Sequence, residues 1–170
     1  MGEEMVRRPE DTPLDLERFL PYRLSVLSNR VSALIGKLYS DEFSLTIPEW
    51  RILAVLGRYG EMTATEVAAR TAMDKVRVSR AIARLLDAGR LARRVDPHDR
   101  RRLTLEMTEE GRAVYAQIVP LALSAEQKML SGLAADDLAA FNRLAAHLTQ
   151  AVAAFEAELG VTLDGVDAGV

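Results

Sequence analysis

The chain has 170 residues, of which 49% are hydrophobic and 28% are charged, proportions that are typical of a globular protein and argue against disorder. It contains no cysteine, which excludes disulfide bonds, thiolate metal sites, cysteine nucleophiles and thiol-based redox sensing. The net charge is −3, and the two histidines, His98 and His147, are too few for a histidine-rich metal site. We therefore expect no metal and no cofactor.

Neither a secretory signal nor a membrane anchor is expected. The N-terminal sequence MGEEMVRRPED lacks the apolar core of a secretory signal, and we expect residues 1–13 to form a loose arm. The longest uncharged stretch in the middle of the chain, residues 113–125, is shorter than the roughly 20 apolar residues of a membrane-spanning helix. These features predict a cytoplasmic protein.

A long amphipathic helix is predicted within residues 14–45. Apolar residues recur there at steps of three and four, which places them on one stripe: Leu16, Leu20, Leu24, Leu27, Val31, Leu34 and Leu38. Pro21 is expected to bend this helix or to mark its first turn.

Three shorter helices are predicted next. The first begins near Pro48, where a proline suits the first helical turn, and stops near Gly57 or Gly60. The second begins at Thr63, which has the capping-box spacing to Glu66, and ends near residue 70. After a turn, an aspartate at position 74 caps the third helix, which runs to about residue 88. Two short helices joined by such a turn indicate a helix-turn-helix.

A β-hairpin and two further helices complete the pattern. Residues 91–95 and 103–107 are strand-like and flank a turn sequence. Thr108 then caps a helix that Pro120 is expected to kink. The last helix, over about residues 135–159, carries a second apolar stripe: Leu138, Phe141, Leu144, Leu148, Val152 and Phe155. The tail, residues 161–170, is expected to fray.

The helix-turn-helix and the hairpin lie in a strongly basic window. Residues 75–102 contain ten basic and three acidic side chains, a charge of +7, whereas the rest of the chain carries −10. Because salt screens charges beyond about 10 Å, such a local excess attracts a polyanion even on an acidic protein. Composition alone leaves an equal alternative, in which these arginines are an ordinary solvated surface.

The order helix, turn, helix, basic hairpin is that of a winged helix-turn-helix, within a mainly α fold that has one small β-hairpin. The second helix of such a unit fits the major groove of DNA, where each base pair presents a distinct pattern of donors and acceptors. The contacts predicted from this helix are Lys75, Val76, Arg77, Ser79 and Arg80. The residues predicted to pack into the core are Val78, Ile82, Leu85 and Leu86.

The hairpin is predicted to be the wing, which lies along the DNA backbone and inserts a side chain into the minor groove. Its predicted DNA contacts are His98, Arg100 and Arg101. Asp96 and Asp99 are expected to stabilise the wing by pairing with one of these arginines. For His98, a plain surface position is the open alternative.

The chain contains five short motifs: TATEVAA from residue 63, DKVRVSR from 74, LLDAG from 85, DPHDRR from 96 and LEMTEEG from 105. They resemble those of the multiple-antibiotic-resistance regulator (MarR) family of bacterial transcription factors. The resemblance covers about residues 14–159 and is most specific in the hairpin. It implies a homodimer that binds a pseudo-palindromic DNA operator through residues 46–108, and whose dimerisation helices lie within residues 14–45 and 109–160.

The resemblance further implies repression of a nearby operon, relieved by a small effector that binds between the dimerisation and DNA-binding parts. Peroxide sensors of the family depend on a cysteine and zinc sensors on clustered histidines and acids, which this chain lacks. An organic effector remains, often an aromatic acid or its acyl-CoA thioester. The residues expected to bind it are Tyr22, Arg23, Asn29 and Trp50, although Trp50 is also a candidate for the core and Arg23 for an ion pair.

Two other classes of function were weighed against this one. An enzyme is disfavoured because the sequence has no glycine-rich phosphate loop, no nucleophile elbow and no metal signature. A winged-helix module for protein contacts, without ligand control, is the main alternative. Such modules usually lack an arginine-rich wing, which favours the DNA-binding interpretation.

Overall fold

The computed structural model describes residues 13–95 and 103–161. The elements in this part of the chain are α1 (Leu20–Lys37), α2 (Ser40–Phe43), α3 (Ile47–Tyr59), α4 (Ala64–Arg70), α5 (Lys75–Asp87), β1 (Leu91–Val95), β2 (Leu103–Met107), α6 (Glu109–Leu130) and α7 (Ala135–Leu159). The predicted fold class, mainly α with a small β-hairpin, is confirmed. None of the described helices combines the length and apolarity that a membrane crossing requires.

The hydrophobic core lies between α3, α4, α5, the hairpin and the first half of α6. The side chains at its centre are almost fully buried: Ile52, Leu53, Val67, Leu85 and Ile118. All four core positions predicted on α5 are confirmed, since Val78, Ile82 and Leu85 are buried and Leu86 packs against them. The amphipathic pattern of α5 therefore leaves its other faces exposed.

The two strands pair antiparallel, with Leu91 opposite Met107 and Val95 opposite Leu103. Two further backbone hydrogen bonds tie β2 to the loop before α4. The N–H of Leu105 donates to the carbonyl of Met62 at 2.7 Å, and the N–H of Met62 donates back at 3.2 Å. The base of the hairpin is thus fixed to the helical core.

The start of α6 is attached to the turn between α5 and β1. The hydroxyl of Thr108 accepts the N–H of Gly111 at 3.0 Å, as an N-cap does, and donates to the carbonyl of Gly89 at 2.7 Å. The N–H of Thr108 donates to the carbonyl of Arg90. A Cβ at position 111 would stand 2.1 Å from that same carbonyl oxygen, so the close approach requires glycine.

The structure differs from the sequence-based expectation at the N-terminal helix. α1 begins at Leu20, not near residue 14, and Pro21 lies in its first turn, where a missing N–H costs nothing. Leu16 lies in a separate turn before the helix. The four-residue helix α2 was not predicted; Ser44, with a φ of 50°, ends it. Pro120 does not interrupt α6.

Candidate nucleic-acid interface

The helix-turn-helix is built by local hydrogen bonds that the sequence specifies. The N–H of Thr63 donates to Glu66 Oε2 at 2.7 Å, and the Thr63 hydroxyl accepts the N–H of Glu66, which forms the predicted capping box at the start of α4. The hydroxyl of Thr71 donates to the carbonyl of Val67 at 2.7 Å and closes the other end. A residue with left-handed backbone, Ala72, then turns the chain towards α5.

α5 starts at the predicted cap. The carboxylate of Asp74 accepts the backbone N–H of Arg77 at 2.8 Å. The five residues predicted from the sequence to contact DNA are all exposed on this helix: Lys75, Val76, Arg77, Ser79 and Arg80. They form a continuous surface over the first half of α5, opposite the buried Val78 and Ile82.

The hairpin adds two exposed arginines on β1. Arg93 lies on the side of the strand that faces α5, whereas Arg94, on the opposite face, forms an ion pair with Glu106 on β2. The wing residues predicted from the sequence lie outside the described residues: Asp96, His98, Asp99, Arg100 and Arg101.

Two clefts flank the exposed first half of α5, and a third, of about 380 Å³, lies at its C-terminal end beside Glu49, Arg84 and Asp87. The first, which we call the wing-side cleft, has a volume of about 260 Å³ and is lined by Thr65 of α4, Lys75 and Ser79 of α5 and Arg93 of β1, among others. Arg93 and Thr65 were not predicted as site residues. The basic window predicted the charge of Arg93, but its position beside α5 follows only from the packing of the hairpin.

The second cleft, which we call the α3-side cleft, has a volume of about 440 Å³. It is lined by Thr46 and Pro48 at the start of α3, by the N-cap Asp74 and by four residues of α5: Val76, Arg77, Arg80 and Arg84. An exposed helix with basic side chains on both sides suits a double-stranded polyanion, because each strand can lie against one of the two basic clefts.

A buried carboxylate lies behind the α3-side cleft. Glu49, in the first turn of α3, is only 4% exposed. Its Oε2 accepts the backbone N–H of Thr46 at 2.7 Å, and its Oε1 accepts the Nε–H of Arg84 at 2.5 Å. The Arg84 side chain remains 57% exposed. This ion pair joins α3 to α5, and its partners are 35 positions apart, which explains why sequence patterns did not reveal it.

Comparison with known proteins identifies the fold and its biochemical class. Residues 43–102, which contain the helix-turn-helix and the first strand of the hairpin, match the model of the MarR family. Together with the relatives and solved structures below, this match supports a MarR-family winged-helix regulator. Proteins of that family are transcriptional regulators and not enzymes.

Individual MarR relatives cover most of the chain. The HTH-type transcriptional repressor Rv2887 of Mycobacterium tuberculosis is 28% identical over 136 residues, which cover 79% of this chain and 92% of that protein. Two solved structures are similar in fold and sequence. One is BpsR of Bordetella bronchiseptica, whose DNA binding is regulated by 6-hydroxynicotinic acid. It has a TM-score of 0.71 and 27% sequence identity, and the match covers 81% of this chain and 98% of BpsR. The PcaV regulator of Streptomyces coelicolor, solved with its natural ligand, has a TM-score of 0.70 at 26% identity, with 83% and 99% covered.

The predicted effector residues do not form one cluster within the chain. Tyr22, Arg23 and Asn29 are exposed on α1, whereas Trp50 is partly buried in α3. In the described part of the chain, no hydrogen bond or ring contact joins Trp50 to the other three. The Trp50 ring packs instead between Tyr39 and Tyr115: the ring centroids are 5.6 and 5.9 Å away.

This aromatic cluster of Tyr39, Trp50 and Tyr115 lies where α3 meets α1 and α6. Burial raises the pKa of Tyr39 to about 12; Arg51 opposes the shift and Glu49 adds to it. Arg51 also donates to the hydroxyl of Ser32 on α1 at 3.0 Å. Of these three aromatic residues, only Trp50 was predicted from the sequence as a site residue, because aromatic residues at helical spacing are usual in cores.

The first and last helices of the chain expose apolar surface. α1 buries only Gly36, and α7 buries no residue. A groove of about 490 Å³ between α1 and α7 is lined by large apolar residues, which include Leu20, Leu24, Phe141, Leu144, Leu148 and Val152. A second groove, of about 520 Å³, is lined by residues of α1 and α6, which include Leu34, Leu38, Leu121 and Met129.

Proposed function

We propose that this protein is a homodimeric repressor that binds a pseudo-palindromic operator and is released by a small organic effector, an aromatic acid or its thioester. The observation that carries the DNA-binding part is the exposed surface of α5 between two basic clefts. Exposure of Lys75, Arg77, Ser79 and Arg80 in one continuous patch is what a helix needs to read base edges in the major groove.

The DNA contacts divide into two groups by their task. Lys75, Val76, Arg77, Ser79 and Arg80 read base edges from α5. The wing residues His98, Arg100 and Arg101 contact phosphates or the minor groove, with Asp96 and Asp99 stabilising the wing. Contacts of the first kind determine sequence selection, whereas contacts of the second kind add affinity that depends strongly on salt.

The dimer is supported by the exposed stripes of α1, α6 and α7. Residues 14–45 and 109–160 form its interface, and residues 46–108 form each DNA-binding lobe. Phe141, Leu144 and Phe155 are each more than half exposed in one chain. Monomeric proteins seldom expose contiguous apolar surface of this extent, and a second copy of the chain would cover it.

Effector control is supported by two relatives of known structure. The DNA binding of BpsR is regulated by 6-hydroxynicotinic acid, a ring compound with a carboxyl group, and PcaV was solved with its natural ligand. In this chain, Arg23 would pair with such a carboxylate, Tyr22 or Asn29 would hydrogen-bond to it, and Trp50 would pack on the ring. An effector weakens DNA binding only if it binds the DNA-incompetent spacing of the two lobes more tightly than the competent one.

A footprint on the DNA upstream of the protein's own gene tests the DNA-binding proposal. We expect protection of two half-sites whose centres lie about 34 Å, or one helical turn, apart, with affinity that falls steeply as salt rises. Reporter expression from that DNA should rise when the gene is deleted. A protein with no footprint and no salt-sensitive DNA binding would instead be a winged-helix module for protein contacts.

A further inference from the structure

We propose that Arg84 contacts a DNA backbone phosphate in the α3-side cleft, and that the buried Glu49 is the positioning residue that orients it. Neither residue belongs to the surface proposed above to read base edges or to the wing. The inference rests on the proposed DNA-binding function and adds a phosphate site beside the start of α3.

The spacing of the arginines defines this site. Arg77, Arg80 and Arg84 follow one another at steps of three and four along α5, so they share one helical face. That face lines the α3-side cleft together with Thr46 and Pro48. The cleft thus runs along the flank of the surface that would enter the major groove, where the backbone of one DNA strand must pass.

The contacts of Glu49 make Arg84 different from its two neighbours. Among the described residues, Arg77 forms its ion pair with the exposed Asp74, at 3.6 Å, where both side chains are more than 60% exposed. Glu49 is buried, and the Thr46 backbone N–H holds one of its oxygens while the other accepts Arg84 Nε–H. Because a guanidinium has five N–H donors, four remain on Arg84 after Nε–H is bound. Its exposure leaves them accessible from the cleft.

Such an arrangement favours phosphate binding for a physical reason. A free arginine loses rotamer freedom when it binds a ligand, and that loss reduces the affinity gained. Arg84 already has its guanidinium held at one edge, so less freedom is lost per hydrogen bond formed. Phosphate oxygens match the two terminal amino groups of a guanidinium, which donate in parallel.

The competing interpretation is that the ion pair only fastens α5 to α3. The two interpretations predict opposite signs for one substitution. Glu49→Gln removes a negative charge near the DNA, which by itself strengthens the attraction of a polyanion. If Glu49 positions a phosphate-binding arginine, the same substitution weakens DNA binding despite the gain in net positive charge. Asp87→Asn is the matched control, because it removes the charge of an exposed acid on the same helix.

The experiment measures binding of full-length dimers to the footprinted fragment and to scrambled DNA of the same length over a salt series. For Arg84→Ala we expect about tenfold weaker binding on both DNAs and a salt slope that is smaller by about one. Glu49→Gln should weaken binding by about threefold, whereas Asp87→Asn should leave it equal or slightly stronger. In the Arg84→Ala background, Glu49→Gln should weaken binding no further.

Melting curves identify any variant that fails to fold, and Arg84→Lys then decides the matter. Lysine keeps the charge, but its donors share one ammonium nitrogen and cannot form the parallel fork of a guanidinium, so we expect most of the loss seen with Arg84→Ala. Unchanged affinity and slope for Arg84→Ala, or for Arg84→Lys, would overturn the inference, as would a gain in affinity for Glu49→Gln equal to that for Asp87→Asn. If the wild-type protein does not bind the fragment, the proposed function itself is overturned.

Discussion

The ring of Tyr115 on α6 lies directly over Gly57 on α3. A Cβ at position 57 would stand 2.5 Å from Cζ of Tyr115 and 2.6 Å from its Cε2. The same ring stacks on Trp50, with an interplanar angle of 26°. Gly57 therefore sets how closely the DNA-binding lobe approaches the long helix α6.

We expect Gly57→Ala to lower the free energy of unfolding by about 1–3 kcal/mol, the usual cost of overpacking. The effect opposes helix propensity, which favours alanine over glycine by about 1 kcal/mol. Urea unfolding measures the change. Gly132→Ala is the control, because a Cβ there meets nothing within 4 Å, and its effect should stay within about 0.5 kcal/mol. A Gly57→Ala protein as stable as the wild type would show that the Tyr115 ring moves aside without cost.

Arg77→Ala should relax sequence selection by about 1–3 kcal/mol, since a base-edge contact discriminates by that amount. The cap of α5 survives this substitution, because Asp74 accepts the backbone N–H of Arg77. In contrast, Arg101→Ala of the wing should weaken binding to all sequences. Titrations with operator and scrambled DNA separate the two effects, and Arg58→Ala, at the far end of α3, controls for charge. Equal losses on both DNAs for Arg77→Ala would contradict its assignment to the groove.

Leu144→Asp should convert the dimer into a monomer of 18.8 kDa, because it places a charge in the apolar groove between α1 and α7. Light scattering at micromolar concentration reports the mass. Gln150→Asp adds the same charge to the same helix outside the apolar stripe, and it should leave the dimer intact. A wild-type protein that is already monomeric would refute the proposed assembly.

Arg23→Ala should abolish effector binding without lowering operator affinity. Calorimetry with benzoates, cinnamates and their CoA esters identifies a binder. We expect it to weaken operator binding of the wild type by roughly 5- to 150-fold, the usual range of allosteric coupling. Arg30→Ala, on the same helix, serves as the control. If no compound binds, or if the compounds that bind leave DNA affinity unchanged, the proposal of an aromatic effector is wrong.

Tyr39 predicts a loss of stability in strong alkali. Its pKa in the folded state is about 12, above the ordinary value of 10.0, so the folded protein retains this proton where the unfolded chain releases it. The stabilisation is complete below pH 10 and falls as the pH rises from 10 to 12. Tyr39→Phe has no such proton, so the difference in unfolding free energy between the two proteins should change across that range. If the difference in unfolding free energy stays constant from pH 10 to 12, the Tyr39 hydroxyl is exposed to solvent in the folded protein.

The sequence predicted those features that depend on neighbouring residues. The Thr63 and Glu66 capping box and the Asp74 cap follow from spacings of three, and the core face of α5 follows from its periodicity. Features that join distant segments were not predictable in this way. The ion pair of Glu49 with Arg84 depends on the angle at which α5 crosses α3, which no local pattern encodes.

Two further differences have a local physical origin. The apolar stripe starts at Leu16, but α1 starts at Leu20, because an apolar residue continues the stripe whether or not its backbone is helical. The helix α2 has only four residues, which is too short for any periodicity to appear. The clustering of Trp50 with Tyr39 and Tyr115 also required knowledge of how three separate segments pack.

The attachment of α6 at Gly111 and Thr108 makes that helix a lever. With its first turn in contact with the carbonyls of Gly89 and Arg90, α6 cannot tilt without carrying the end of α5 and the base of the hairpin along. Its 22 residues span about 33 Å, so a tilt of about 5° moves one end by roughly 3 Å relative to the other. In the proposed dimer, such a tilt about the far end of α6 would move the attached end of α5 by about that distance and so change the separation of the two helices proposed to read DNA.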